Sequence, residues 1–437
     1  MDGDILDSIW FKTVKKPKFE RLEKNIKTDV LIVGGGMAGV LCAYMLQNAG
    51  IDYVLTEAKE ICSGITQKTT AKITCQHGLI YDKIIKNFDI NFAKLYFKAQ
   101  DDACKMYSKL CKNIDCDYEI KDSYVFSVTD KEKIDNEILA YNKLGLDSAF
   151  NNINLPFDVA GVVCLKDQAQ FHPLKFAYGL SKDLNIYENT KVVQLLPNKA
   201  ITNNGEIIFK RIIIVTHFPI DNKRGSYFLK MYQHRSYVIA LKNAQNVNGM
   251  YVDEKDTGLS FRNYKTLLLL GGGGHRTGKQ GGNWKELEQF AQRYYSKAKI
   301  VGKWATQDCM TLDGLPYIGR YSKNTPDMYV ATGFNKWGMT SSMVAATLLT
   351  DMIMGKNNEY ESVFSPSRSI MRPQLAVNAF ESLIGLITPT APRCPHMGCA
   401  LKYNRDEHSW DCSCHGSRFD QDGQVLDNPA TDDKKLR

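Results

Sequence analysis

The stretch from Asp29 to Gly39, DVLIVGGGMAG, decides the fold. Asp29 to Val33 is a short apolar run with β-branched residues, the pattern of a buried strand in a parallel sheet. Gly34, Gly36 and Gly39 follow at G-x-G-x-x-G spacing, and Val40 to Gln47 continues with helical periodicity up to Asn48-Ala49-Gly50. Ile51 to Thr56 is a second strand, with Glu57 at its end. Strand, glycine turn, helix, strand and acid in this order form the Rossmann-type unit that holds a dinucleotide. Gly34 permits the tight turn, Gly36 lets the backbone approach a pyrophosphate, and Gly39 lets the helix pack closely on the strand. The helix N-terminus offers free N–H groups and a positive dipole end to the phosphates. Glu57 is placed to accept hydrogen bonds from the adenosine ribose. A glycine turn in an unrelated α/β domain would share the three glycines but not this context, and these residues alone fit either FAD or NAD.

Later segments favour FAD. Arg211 to Val215 is another apolar strand, followed by Thr216-His217-Phe218-Pro219. Met328 to Phe334 runs from a strand into a glycine turn at Gly333, and Gly338-Met339-Thr340 opens an apolar helix through Met352. In a flavoprotein that helix dipole faces the flavin edge that becomes negative on reduction. From about Asp29 to Gly355 the chain resembles the D-amino-acid oxidase-like (DAO) family of FAD-dependent oxidoreductases, which includes glycine and sarcosine oxidases. TLDGLPYIG from Thr311 to Gly319 and ATGFNKWGM from Ala331 to Met339 carry the resemblance best. It implies one extended FAD, with Gly34, Gly36, Gly39 and Glu57 on its ADP half and Val192 near the adenine. Thr216 and Gly333 join the same site, and Gly338, Met339 and Thr340 lie near the flavin. It also passes Thr69-Thr70-Ala71-Lys72 beside the isoalloxazine, although the usual glycine-rich form of that stretch is absent.

The last forty-five residues carry a second motif. Four of the twelve cysteines crowd there, Cys394, Cys399, Cys412 and Cys414, while the other eight are scattered without metal-ligand spacing. Cys394-Pro395-His396 and Cys412-Ser413-Cys414-His415 read C-x-H and C-x-x-H. Two thiolates on one iron and two imidazoles on the other make a Rieske [2Fe–2S] centre. A zinc site uses the same ligand types, but Cys399 and Cys414 are additional to the four. CPHMGC and CSCHGSRF closely resemble Rieske proteins, and the resemblance implies a disulfide between Cys399 and Cys414. Similar positions to Ser417 and Phe419 carry a serine and a tyrosine in respiratory Rieske proteins, so this chain keeps one hydroxyl of the two. Little chain precedes Cys394, which predicts a shortened, all-β Rieske module supported by the flavoprotein.

Composition excludes other classes. The 437 residues, 43% hydrophobic and 24% charged, are those of a globular chain, and a net charge of +8 is small for that length, so nucleic acid is not implied. Lys12, Lys15, Lys16, Lys18, Arg21, Lys24 and Lys27 form a basic arm, read as solvated. No apolar run reaches the ~20 residues of a membrane helix. The start has no basic region followed by an apolar one, so no secretory signal is read and a cytoplasmic location is expected. Gly273 to Lys279 fits G-x-x-x-x-G-K, but Gln280 stands where a P-loop needs Ser or Thr. Glycines closing a strand beside a substrate cavity are the better reading, with His275 and Arg276 available to an anionic group. His172, Lys72 and Arg262 are further weak candidates for substrate work.

The expected fold is α/β: a discontinuous Rossmann-like FAD-binding domain, a mixed α+β substrate domain and the small Rieske module. The boundaries expected are a 1–26 arm, a 27–360 oxidoreductase, a 361–378 linker and the module at 379–437. Within the oxidoreductase the FAD parts are about 27–74, 159–219 and 308–355, and the substrate and cap parts about 81–150 and 224–305. The expected function is oxidation of a small amine or amino acid by FAD, with electrons passed singly through the cluster to a protein partner. The rival is an electron carrier or redox sensor without an organic substrate, whose cavity beside the flavin would be closed or filled by apolar side chains. A flavin monooxygenase would want a second nucleotide fingerprint, which is absent.

Overall fold

The computed structural model describes residues 8–148, 153–221, 224–255, 258–389 and 392–433. Small parts of the expected arm, cap, substrate part and Rieske module (1–7, 149–150, 256–257, 390–391 and 434–437) lie outside the described residues. Among the described residues, two eight-stranded sheets and one four-stranded sheet make up the architecture. In the first, Ile26–Val33 lies between Tyr53–Thr56 and Glu206–Ile214, parallel to both. Ile186–Tyr187 and Met328–Thr332 extend the parallel set, and Tyr317–Arg320 closes one edge antiparallel. Helices Met37–Asn48 and Gly338–Ile353 pack against each other on this sheet. Both are largely apolar and almost wholly buried, as helices covered on every side must be.

The second sheet runs Lys299–Thr311, Met231–Lys242, Leu267–Arg276, Ser260–Tyr264, Met250–Asp253, Glu119–Ser127, Gly161–Gln170 and Lys72–Ile73. It is mixed, because Met250–Asp253 pairs parallel with Glu119–Ser127 among antiparallel neighbours. Ile80–Asn87, Ile90–Cys111 and Lys131–Leu144 supply the expected helical cap. Three FAD boundaries shift. Gly161–Gln170, expected with the FAD parts, bonds along Glu119–Ser127, so it belongs to the second sheet. Lys72–Ile73 follows it there, and Lys299–Thr311 runs past 308 without changing sheets.

Two further expectations are corrected. The arm is not simply solvated: Ile9, Trp10 and Leu22 are buried, and Trp10 Nε1 donates to Thr69 O at 2.8 Å. Its exposed lysines still face water, and Lys16 pairs with Glu60 at 2.6 Å. The linker is also structured. Glu361–Phe364 is a helical turn, Arg368 is bound to Asp313 and to four carbonyls, and helix Pro373–Ile387 begins inside the expected linker. The Rieske strands are Leu401–Asn404, Ser409–Cys412, Arg418–Phe419 and Val425–Asp427, all antiparallel, around a small core of Cys394, Leu401, Phe419 and Ala430. No helix among the described residues is long and apolar enough to cross a membrane.

Candidate functional site

A cavity of about 1290 Å³ opens between the first two sheets and reaches the C-terminal module. At one end the glycine turn does what its spacing predicts. Gly34 has φ +112°, and a Cβ there would sit 2.7 Å from Val215 O. A Cβ on Gly39 would sit 1.9 Å from Gly34 O, so only glycine lets helix and turn meet. Gly36 differs: a Cβ there would meet only Thr66 Oγ1, at 3.5 Å, so its face is a cradle open to a ligand. Glu57 spans the turn, accepting from Gly35 N at 2.7 Å and Lys59 N at 2.9 Å. Burial raises its carboxyl against the pull of those two N–H groups. Val192, Thr216, Gly333, Gly338 and Met339 line the same cavity. Met37 N donates to Thr66 Oγ1 at 3.0 Å, while the side-chain-free approach at Gly36 and the positive end of the helix suit a pyrophosphate, so these residues fit an extended dinucleotide.

Thr69, Thr70 and Lys72 line the other end, where the substrate sheet forms the wall. Lys72 Nζ reaches Ser260 Oγ and Thr70 Oγ1, and burial pushes its ammonium down to about 7, with Arg262 adding to the effect. Asp308 also lines the cavity, and burial raises its carboxyl to about 6. His77 stacks on Trp337 at 4.9 Å and is held neutral by burial, its pKa lowered to about 3. Thr340 does not line the cavity: it hydrogen-bonds His77 and Thr74 O beneath it, because the first turn of its helix presents Met339 and Ser342 instead.

The third element is the four-residue cluster set. The rings of His396 and His415 lie 5.0 Å apart. Both nitrogens of His396 and Nδ1 of His415 are buried without a hydrogen-bond partner. Orphaned imidazole nitrogens beside the Cys394 and Cys412 thiols fit a metal cluster. Cys399 and Cys414 are joined as a disulfide. Ser417 hydrogen-bonds the Cys394 sulfur and accepts from Ala430 N, while Phe419 is fully buried.

Comparison with known proteins agrees with this geometry. Residues 29–352 match the model of the family described as FAD dependent oxidoreductase (DAO), and residues 370–436 match that of the Rieske [2Fe-2S] domain. The chain belongs to the DAO family of FAD-dependent oxidoreductases. It is 34% identical to a putative Rieske 2Fe-2S iron-sulfur protein, YhfW, of Bacillus subtilis, over 97% of this chain and 96% of that one. It is 23% identical to gamma-glutamylputrescine oxidoreductase of Escherichia coli, over 80% of this chain and 88% of the relative. Among solved structures, glycine oxidase of Geobacillus kaustophilus superposes with a TM-score of 0.66 at 18% identity, covering 79% of this chain and 99% of its own. This oxidoreductase therefore binds FAD and a [2Fe–2S] cluster.

Several residues expected near substrate instead seat the oxidoreductase's Rieske module. The G-x-x-x-x-G-K stretch continues strand Leu267–Arg276 and opens no helix until Asn283. A Cβ on Gly278 would lie 2.6 Å from Ser413 N, so the cluster loop rests on that glycine. Arg276 donates to Ser413 O at 3.3 Å, Cys414 O at 3.2 Å and Asn378 Oδ1 at 2.9 Å. His275 stacks on Tyr237 and bonds its hydroxyl at 3.0 Å. His172 caps helix Pro173–Leu180 by accepting from Lys175 N and bonds Thr13, outside the cavity. Arg262 is buried and donates to Thr70 O, Ala71 O and Phe171 O, so it fixes the chain beside the cavity and has no face for a substrate carboxylate.

Sequence reasoning missed the anchor of this seat. Arg235, on the substrate sheet, pairs with Glu407 of the module, and Tyr237 donates to the same carboxylate at 2.8 Å. Arg418 bonds Glu407, Asp411 and Asp427 at 2.8–3.0 Å. Burial alone would raise Glu407, but Arg235 and Arg418 hold it at about 2. Arg235 and Glu407 lie 172 residues apart, so spacing carries no signal of their pairing. Asn428 closes the seat, donating to Thr216 O and Phe218 O at 2.7 Å each. As a result His396 faces Phe218 and His415 faces Phe228, with ring centroids 6.3 and 6.0 Å apart.

Proposed function

We propose that the protein oxidises a small amine or amino acid and delivers the electrons singly, through its own cluster, to a protein acceptor. One observation carries the substrate half of this reading: the cavity that holds the dinucleotide turn is open rather than filled, and Lys72, Ser260 and Asp308 bring polar side chains to its largely apolar lining. A carrier without a substrate has no use for such a wall. The names of two similar proteins, gamma-glutamylputrescine oxidoreductase and glycine oxidase, point to the same substrate class. FAD, when bound, supplies a two-electron acceptor and the cluster a one-electron one.

The chain's residues have distinct work in this scheme. Asp308, with its value near 6 and Lys336 and Arg235 as its neighbouring charges, is ionised at neutral pH and puts a negative charge on a part of the cavity wall separate from Lys72, which draws cationic substrates in. Lys72, near 7, is neutral in about half of the molecules at that pH and takes a proton from the amine before its C–H bond breaks. Phe218 and Phe228 exclude water from the ligand imidazoles on the side facing the oxidoreductase. The test is anaerobic reduction of the holoprotein by a panel of amines and amino acids. Flavin bleaching followed by a Rieske EPR signal is expected. Failure of every candidate, with ready reduction by a ferredoxin-like protein, would establish the carrier instead.

A further inference from the structure

Helix Pro373–Ile387, between the oxidoreductase and the cluster loops, is amphipathic with its faces reversed. Its polar residues point into the protein. Asn378 is buried and accepts from Arg276, and Glu381 pairs with Lys279 at 2.6 Å. Gly385 rests on the disulfide, where a Cβ would come within 2.4 Å of Cys414 Sγ. Every exposed position of the helix is apolar. Val377, Phe380, Leu383, Leu386 and Ile387 are 48–69% exposed, and the other exposed positions are proline and alanine. Met371 (79% exposed) lengthens the stripe before the helix. Arg393 binds Leu386 O and Gly398 O, which brings Met397 (43% exposed) of the first cluster loop to its other end. Water-facing helices put their polar residues outward, and a continuous apolar surface of this kind marks an interaction site.

We infer that this face lies in the interfacial layer of an anionic lipid bilayer, which places the first cluster loop at the membrane surface. The chemistry of the stripe favours lipid over a protein. Protein interfaces carry a polar rim and about one hydrogen bond per 100–200 Å², whereas no exposed side chain of this helix can form one. A convex ridge about 22 Å long, from 15 residues at 1.5 Å each, suits the soft headgroup–acyl boundary better than a rigid partner. Arg372, stacked on Phe88 at one end, and Arg393, bonded to carbonyls at the other, are both partly exposed and set positive charge at the two ends of the stripe, which favours anionic headgroups through field rather than direct contact. A second copy of the chain, in either direction along the ridge, would bring arginine against arginine.

The experiment uses the flavin- and cluster-loaded protein in vesicle flotation, with phosphatidylcholine alone and with phosphatidylglycerol added. The wild type is expected to float with the anionic vesicles, less so as salt is raised. Phe380→Glu with Leu383→Glu is expected to lower the bound fraction about tenfold or more while keeping the flavin absorbance and Rieske EPR signal. Should that variant fail to fold, hydrogen exchange of residues 371–397 in the wild type serves in its place, with vesicle-induced protection expected there. No binding to either vesicle would overturn the proposal. So would binding untouched by the double substitution, no protection of 371–397, or a lipid-free dimer that the substitution dissociates.

Discussion

The nucleotide cradle and the cluster seat are both tight, but they are built from opposite materials. The cradle is made of missing side chains: Gly34 and Gly39 leave no room for a Cβ against Val215 O and Gly34 O, and its glycines all lie within one strand–turn–helix unit. The seat is made of long charged side chains, Arg235, Arg276, Glu407 and Arg418, drawn from segments more than a hundred residues apart. A backbone site tolerates almost no added volume. A buried ionic site tolerates volume poorly and loss of one charge worse, because the remaining charges stay desolvated. The two regions should therefore fail differently.

The sharpest contrast comes from Gly39→Val. Its branched side chain meets the Gly34 carbonyl, so the helix cannot close on the turn, and the purified variant is expected to retain almost no flavin. Overpacking of this kind typically costs about 1–3 kcal/mol, and backbone contact raises it. The Rieske EPR signal should persist, and loss of both signals together would show that cradle and seat are one cooperative unit.

Glu407→Gln tests the other region. Removing the carboxylate leaves Arg235 and Arg418 buried without their shared partner, at a cost of about 3–5 kcal/mol. Flavin content should be unchanged, while cleavage by a protease in 365–372 accelerates; an unchanged cleavage rate would place the docking energy elsewhere. Acid should mimic the substitution in the wild type. The Glu407 carboxyl is depressed to about 2 from its ordinary value, so its contribution is complete above about 4.5 and is lost as pH falls from there through about 2. Protease resistance should persist at pH 5 and fail within that window.

Glu57→Lys places a cation against the ribose hydroxyls and removes the acceptor of Gly35 N. FAD binding should weaken by about 1–3 kcal/mol, as for a charged hydrogen bond. Full flavin affinity would remove Glu57 from the cofactor site.

The smallest effect belongs to Phe419→Tyr. If the added hydroxyl donates to the cluster, a net hydrogen bond of about 1 kcal/mol favouring the reduced form raises the midpoint by roughly 40 mV for one electron. Protein-film voltammetry reads this directly. A midpoint that stays or drops would assign Phe419, fully buried with Trp410 and Val425 around it, to packing alone.

The same contrast explains what was legible. The cradle was read residue by residue, since G-x-G-x-x-G works through local backbone geometry. The expected cluster ligands rest on the same short-range logic, because C-x-H and C-x-x-H place both donors of each loop within one turn, and the structure brings the His396 and His415 rings to 5.0 Å. His275, Arg276 and Arg262 were misassigned to substrate. An arginine near a glycine run signals an anion but does not say which one, and here the acceptors are carbonyls of the cluster loop and of the chain beside the cavity. Asp308 and Ser260 gave no local sign of facing the cavity.

By itself the sequence determined the dinucleotide turn with its parallel strands and the paired C-x-H and C-x-x-H loops, because these rest on short-range periodicity or on donors close in the chain; FAD, the mixed second sheet and the small β module came from resemblance to known families. Only the tertiary structure decided how the two halves meet. The buried network of Arg235, Glu407 and Arg418, the clamp of Asn428 on Thr216 and Phe218, and the outward apolar face of Pro373–Ile387 depend on which distant surfaces touch. Spacing along a chain carries no record of that, because a buried charge can be matched by any segment the fold brings to it.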